Sequence, residues 1–227
     1  MRKLFFFFIA TVFCIYADIV CAKTFSYNNF FIDIESPQGF IDTKILGKDV
    51  EQSFFKTFPK TNICISAYVP ENEVDFYING GKYFKNFIVL TTIKEVSKHI
   101  LNKEDFIYII PYVDKLFMND SELLKIKKST EEELNKKINA GVLIESPQFI
   151  EKTQSKEYVS YCLVLGYKFR PYDININMIA VVSCVYVNKN VLTIYSYSII
   201  DKNMKKSLSK AKMNNEKFID MVLSLNN

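Results

Sequence analysis

The chain holds one histidine, His99, and only six glycines and six prolines in 227 residues. A single imidazole excludes multi-histidine metal sites and any mechanism that needs two such rings, though not a Cys-His pair. So little Gly and Pro excludes long flexible linkers. No GxxxxGKS/T, GxGxxG or GxSxG motif occurs, which removes the common phosphate-cradling and nucleophile-elbow signatures. The acidic residues are dispersed, and no pair of them is placed across a cleft. No Lys/Arg block with interleaved aromatics appears, so a nucleic-acid footprint is not expected. The 29 basic and 25 acidic residues leave a formal charge of +4, and that excess is spread out.

What is present is apolar. Hydrophobic residues make up 49% of the chain and aromatics 15%, enough for one sizeable core. The first 22 residues read as a signal peptide. Arg2 and Lys3 form the positive start, residues 4–17 are an unbroken apolar run, and Asp18 ends it. Val20, Cys21 and Ala22 supply the cleavage region. The run is shorter than the roughly 20 residues of a membrane-spanning helix. An uncleaved anchor or a buried strand is the alternative reading. No second long apolar run follows, so residues 23–227 are expected to form one exported α+β domain.

Residues 178–200 are the expected centre of that domain. Two runs rich in β-branched and aromatic residues flank Asn188-Lys189-Asn190, a β-hairpin signal. Both faces of each strand are largely apolar, which calls for cover on both sides. A long helix over residues 204–225 repeats Leu208, Ala211, Phe218, Met221, Val222 and Leu225 at helical spacing and is the natural cover for one face. Helices over 48–58 and 129–140 are the candidates for the other, the second capped by Ser129 or Thr130 and stopped by Gly141. Further strands are expected at 30–34, 62–69, 143–145 and 158–169, and a helix at 93–101. Residues 76–78 and 84–92, around Asn79-Gly80-Gly81-Lys82, read as a second hairpin. Residues 106–113 are strongly apolar but interrupted by Pro111, and 116–128 permit a helix. The fold class expected is α+β: a mainly antiparallel central sheet with helices on both faces, a three-layer α/β/α sandwich.

Cys64, Cys162 and Cys184 survive removal of the leader, each within an expected strand, where a cysteine behaves as a small apolar core residue. Strands pairing around residues 170–177 would place Cys162 nearly opposite Cys184. A disulfide there and two buried free thiols are the two readings. The expected binding surface is the loop carrying Phe169, Arg170 and Tyr172, a guanidinium and two aromatics between core strands. An ordinary strand connection is the alternative. Asn119-Asp120-Ser121 matches a glycosylation sequon, which matters only in a eukaryotic secretory pathway.

The order of parts resembles the Mog1/PsbP-like group of α/β/α sandwich proteins, which includes small exported bacterial members. The resemblance rests on Ser36-Pro37-Gln38-Gly39-Phe40 leaving a strand, a helix after it, the hairpin over 180–197 and the helix ending Phe218-Ile219-Asp220-Met221-Val222. It covers most of the chain after Lys23 but leaves 105–128 unaccounted for. It implies a non-catalytic accessory or binding module and transfers no catalytic residue.

The function expected is an exported binding or accessory protein, periplasmic or secreted. It would use no cofactor and no metal and would bind a protein or a small molecule. Nucleic acid is excluded as a partner, and membrane contact is expected only during export. The competing readings are an exported hydrolase or thiol enzyme using Cys162 or Cys184 with His99, and a secreted factor acting on a host or neighbouring cell.

Overall fold

A computed structural model of the chain describes residues 22–226, apart from 82, 139–140 and 171–172. The expected leader therefore lies outside the described residues except for Ala22.

Among the described residues, ten strands and five helices are arranged as follows. Strands β1 (Lys23–Tyr27) and β2 (Phe30–Ile34) form a separate hairpin. Strand β3 (Phe40–Asp42), a 3-10 turn (Thr43–Leu46) and helix α1 (Lys48–Phe55) lead to β4 (Asn62–Pro70). Helix α2 (Glu71–Ile78) and β5 (Asn86–Ile93) follow. Then come α3 (Lys103–Met118) and α4 (Asp120–Ile138). Strands β6 (Val142–Ile144), β7 (Gln148–Gln154), β8 (Tyr158–Phe169), β9 (Ile174–Val187) and β10 (Asn190–Ile199) precede α5 (Met204–Asn226).

The main sheet runs β3-β4-β5-β10-β9-β8-β6, with β7 also on β8, and every pairing in it is antiparallel. The central hairpin expected at 178–200 is β9–β10. Its two-residue turn has Asn188 at φ 47° and Lys189 at φ 60°, the geometry whose twist matches that of paired strands. The side chains divide as the alternation requires. Ile179 and Val181 pack on Ala211 of α5, and Val185 and Val187 join Phe218, Ile219 and Val222. Cys184 and Tyr186 point to the opposite side, against Phe106 and Ile110 of α3.

The fold class is the expected one, α+β with cover on both faces, but the covers differ in detail. One side carries α5 together with the β1–β2 hairpin, whose Phe30, Ile32 and Ile34 enter the same core. Asn226, at the end of α5, locks that hairpin by receiving the N–H of Asp33 at 2.8 Å and donating to its carbonyl at 2.8 Å. On the other side α1 covers Ala67, Val89 and Tyr195, α4 covers Val142 and Ile144, and α3 takes the middle.

Helix α3 runs through the apolar stretch that Pro111 was expected to interrupt. Phe106, Ile110, Val113 and Phe117 recur at helical spacing toward the sheet, and Pro111 sits on the solvent side, where water can satisfy the carbonyl its ring leaves unpaired. Asn102 and Asp105 close a capping box at its start. Helix α4 begins nine residues before the expected cap: Asn119 Oδ1 accepts from the N–H of Ser121 and Glu122. The asparagine of the sequon is thus a helix cap.

Two further expectations are corrected. Residues 76–78 belong to α2, not to a hairpin strand, because Glu71 and Glu73 occupy a first turn directly after Pro70. The segment 93–101 ends β5 and adds only a 3-10 turn, Val96–Lys98.

Candidate functional site

Strands β8 and β9 run past the end of β10, with β6 paired on the outer side of β8 there. The last β9–β10 rung is Met178 with Ile199, whereas β8–β9 pairing continues to Phe169 with Ile174. The expected binding loop caps this extension. Phe169 is half-buried, packing against Leu134, Val142 and Ile144 under α4. Arg170 is exposed, held by its N–H to the carbonyl of Gly141 at 3.4 Å. Tyr172 lies outside the described residues. Of the two described members of the proposed trio, Arg170 is the exposed one and Phe169 is half-buried.

The cysteines are separated by register. Cys162 pairs with Val181 and Cys184 with Val159, so their side chains leave opposite faces of the sheet. The connection spans 170–173, shorter than the expected 170–177, and this moves the pairing by three positions. Cys64, Cys162 and Cys184 are all free thiols. Burial pushes Cys162 up to about 12, with Glu151 adding to it, and burial pushes Cys184 up to about 12. Cys64 is pushed up to about 11 by burial, partly opposed by Lys137. A nucleophilic thiolate requires the opposite displacement. His99 is exposed, and the bond it makes to the centre is through its carbonyl, which accepts from Asn190 Nδ2 at 3.1 Å. Among the described residues its ring makes no hydrogen bond to a cysteine, and no three His, Cys, Asp or Glu side chains converge as metal ligands.

A polar chain crosses the interface of β8, β9 and α5. Ser160 donates to Ser183 at 2.6 Å, Ser183 to Asn215 Oδ1 at 2.6 Å, and Asn215 Nδ2 to the Val181 carbonyl at 3.4 Å. Beside it is a cavity of about 20 Å³, bordered by Cys162 and by the Glu151–Lys212 ion pair at 2.7 Å. That is room for one water molecule. Both hydroxyls are occupied by neighbours of the same chain, and no imidazole adjoins them, so the arrangement satisfies buried polar groups without activating a nucleophile. Ser183 stands out in the run Val181-Val182-Ser183-Cys184 as a polar residue at an inward position, the one sequence signal of this network.

Helix α3 supplies the most exposed apolar surface. Two of its charged side chains fasten it: Lys103 pairs with Glu157 at 2.6 Å, and Asp114 takes Lys152 at 2.7 Å and the Tyr161 hydroxyl at 2.8 Å. The solvent side carries Ile107, Tyr108, Pro111, Tyr112 and Leu116 between the exposed charges Glu104 and Lys115, with Tyr108 71% and Tyr112 61% exposed. Those two rings lie 5.9 Å apart, one helical turn from each other, with hydroxyls 3.5 Å apart. Exposed apolar side chains gathered on one helix face are the kind of surface a partner covers, and α3 is covered by its own chain on one side.

No family model and no curated protein matches the chain. Among solved structures it is similar to a single-site mutant of the protein Mog1, at 12% identity and TM-score 0.40, over 91% of this chain and 95% of that one. It is also similar to Mog1p of Saccharomyces cerevisiae, described as a Ran-binding protein, at 11% identity and TM-score 0.39, over 91% of this chain and 96% of that one. Both belong to the group that the order of parts in the sequence resembles.

Proposed function

We propose that this chain is an exported, non-catalytic binding protein and that its partner is another protein, which seats on the outer face of α3. The observation that carries this reading is the exposed pair Tyr108 and Tyr112 among Ile107, Pro111 and Leu116, on a helix fastened to the sheet through Asp114. Tyrosines offer large, semi-rigid, amphipathic contact area and are enriched among residues that dominate interface energy. Export rests on the leader-like start of the sequence. The thiol-enzyme reading finds no support in the geometry, with Cys162 and Cys184 on opposite faces and their thiols held neutral by burial. The test is a photo-crosslinking amino acid placed at Tyr112, and in a second sample at Lys217 on α5, in cells that make the protein. A discrete protein adduct from position 112 and none from 217 is expected. Equal labelling at both positions, or none at 112, overturns the reading.

A further inference from the structure

The outer face of α3 has a symmetry of its own. Glu104, Tyr108, Pro111 and Lys115 are all exposed and follow one another at steps of four, three and four residues, the spacing of a coiled-coil seam. Ile107 and Tyr112 flank that line on its two sides. The line has an acid at one end, a base at the other and two rings between. The helix dipole favours that order of signs, but it does not place both charges on the line of Tyr108 and Pro111. The other charges of α3 are used within the chain: Lys103 by Glu157, Asp114 by Lys152, and Asp105 by the capping box. Among the described residues, Glu104 and Lys115 form no ion pair. Glu122, which feels Lys115 from the start of α4, is itself paired with Lys125 at 2.8 Å.

We propose that the protein seated on this face is a second copy of the chain, with the two α3 helices packed antiparallel about a two-fold axis passing between Ile109 and Ile110. This occupancy rests on the reading of α3 as a docking surface and names what docks there. Laying one helix against the reverse of the other brings Glu104 to the partner's Lys115 and Lys115 to the partner's Glu104, so the charge contact is made twice. Tyr108 meets the partner's Pro111, and Ile107 meets the partner's Tyr112. Pro111 has no N–H to give the carbonyl of Ile107, and the partner's Tyr112 brings a phenol to that side as a donor. A parallel pair would instead set glutamate beside glutamate and lysine beside lysine. Helix α3 has 16 residues, about 24 Å of length. A contact of that size stands at the small end of specific interfaces, so the dimer is weak and concentration-dependent.

The test uses the full chain, with the first 22 residues common to every variant. Sedimentation over a concentration series should show a monomer–dimer equilibrium that weakens as salt is raised. Glu104→Lys sets lysine against lysine at both ends of the contact, and Lys115→Glu sets glutamate against glutamate. Each alone is expected to weaken self-association about 10-fold. An equimolar mixture of the two variants is expected to recover it, because every charge contact then joins unlike signs. Circular dichroism establishes that both variants fold, and mixing changes neither chain, so the recovery reports pairing alone. An unsubstituted chain that stays monomeric, or a mixture that associates no better than its components, overturns the proposal. The photo-crosslinker at Tyr112 separates the dimer from the docking face itself. An adduct of twice the chain mass is expected. An adduct of any other mass overturns the dimer and leaves α3 as a docking face, and no adduct overturns both.

Discussion

Cys162 and Cys184 point away from each other through the thickness of the sheet, one toward Ala211 of α5 and the other toward Phe106 of α3. No rotamer brings their sulfurs together while β8 and β9 stay paired. Residues 23–227 are therefore expected to hold three free thiols. Native protein treated with a thiol reagent should label slowly, protein in denaturant should label at Cys64, Cys162 and Cys184, and reductant should leave the mass unchanged. A mass increase of two hydrogens on reduction would show a bridge.

The same thiols set an alkaline limit. Their folded values, about 12 for Cys162 and Cys184, lie above the roughly 8.5 of an unfolded cysteine. Between those values the unfolded chain has lost protons that the folded chain keeps, so stability falls as pH rises. The contribution is complete below pH about 8.5 and is lost progressively toward 12. Urea midpoints measured from pH 7 to 11 should fall, and Cys184→Ala should flatten the slope.

Asp114 joins α3 to the sheet by receiving both Lys152 and the Tyr161 hydroxyl. Asp114→Ala leaves that hydroxyl without its acceptor and is expected to cost about 1–3 kcal/mol. Urea denaturation measures it. Tyr161→Phe made on top of Asp114→Ala should cost less than Tyr161→Phe alone, the sign of a shared interaction.

Phe218 stands between two rings, 5.2 Å from Phe40 and 5.0 Å from Tyr68. Phe218→Ala opens a cavity where α5 meets the sheet and is expected to cost about 3–5 kcal/mol. A thermal scan should show a lower midpoint. By contrast, Tyr112→Glu on the outer face of α3 should change stability by no more than about 0.5 kcal/mol while abolishing partner capture.

Much of this layout was legible along the chain. The β9–β10 strands announce themselves as β-branched runs around Asn188, and α5 by its apolar stripe opposite lysines and asparagines. Helix α3 was not, because an all-apolar stretch such as 106–113 carries no contrast between period 2 and period 3.6, and Pro111 argued against either. Helix α2 was hidden by Phe76-Tyr77-Ile78 before Asn79-Gly80-Gly81, which imitates a strand and turn. The cysteine pairing failed on the length of one connection, since an odd shift in register reverses every side chain. The trio at the loop was legible as residues, but whether Phe169 faces water or α4 is decided by β6, far away in sequence. The face of α3 and the Ser160–Ser183–Asn215 chain arise only when distant elements meet.

Strand β10 lies between β5 and β9, which do not touch each other in the sheet order. Everything built before it must therefore wait as two unjoined halves until β10, which ends at Ile199 of 227 residues, has emerged. A ribosome-bound chain cannot close its sheet early, and such late, long-range closure is intrinsically slow. That delay is an interval in which the chain remains an open thread, accessible to whatever meets it before β10 arrives.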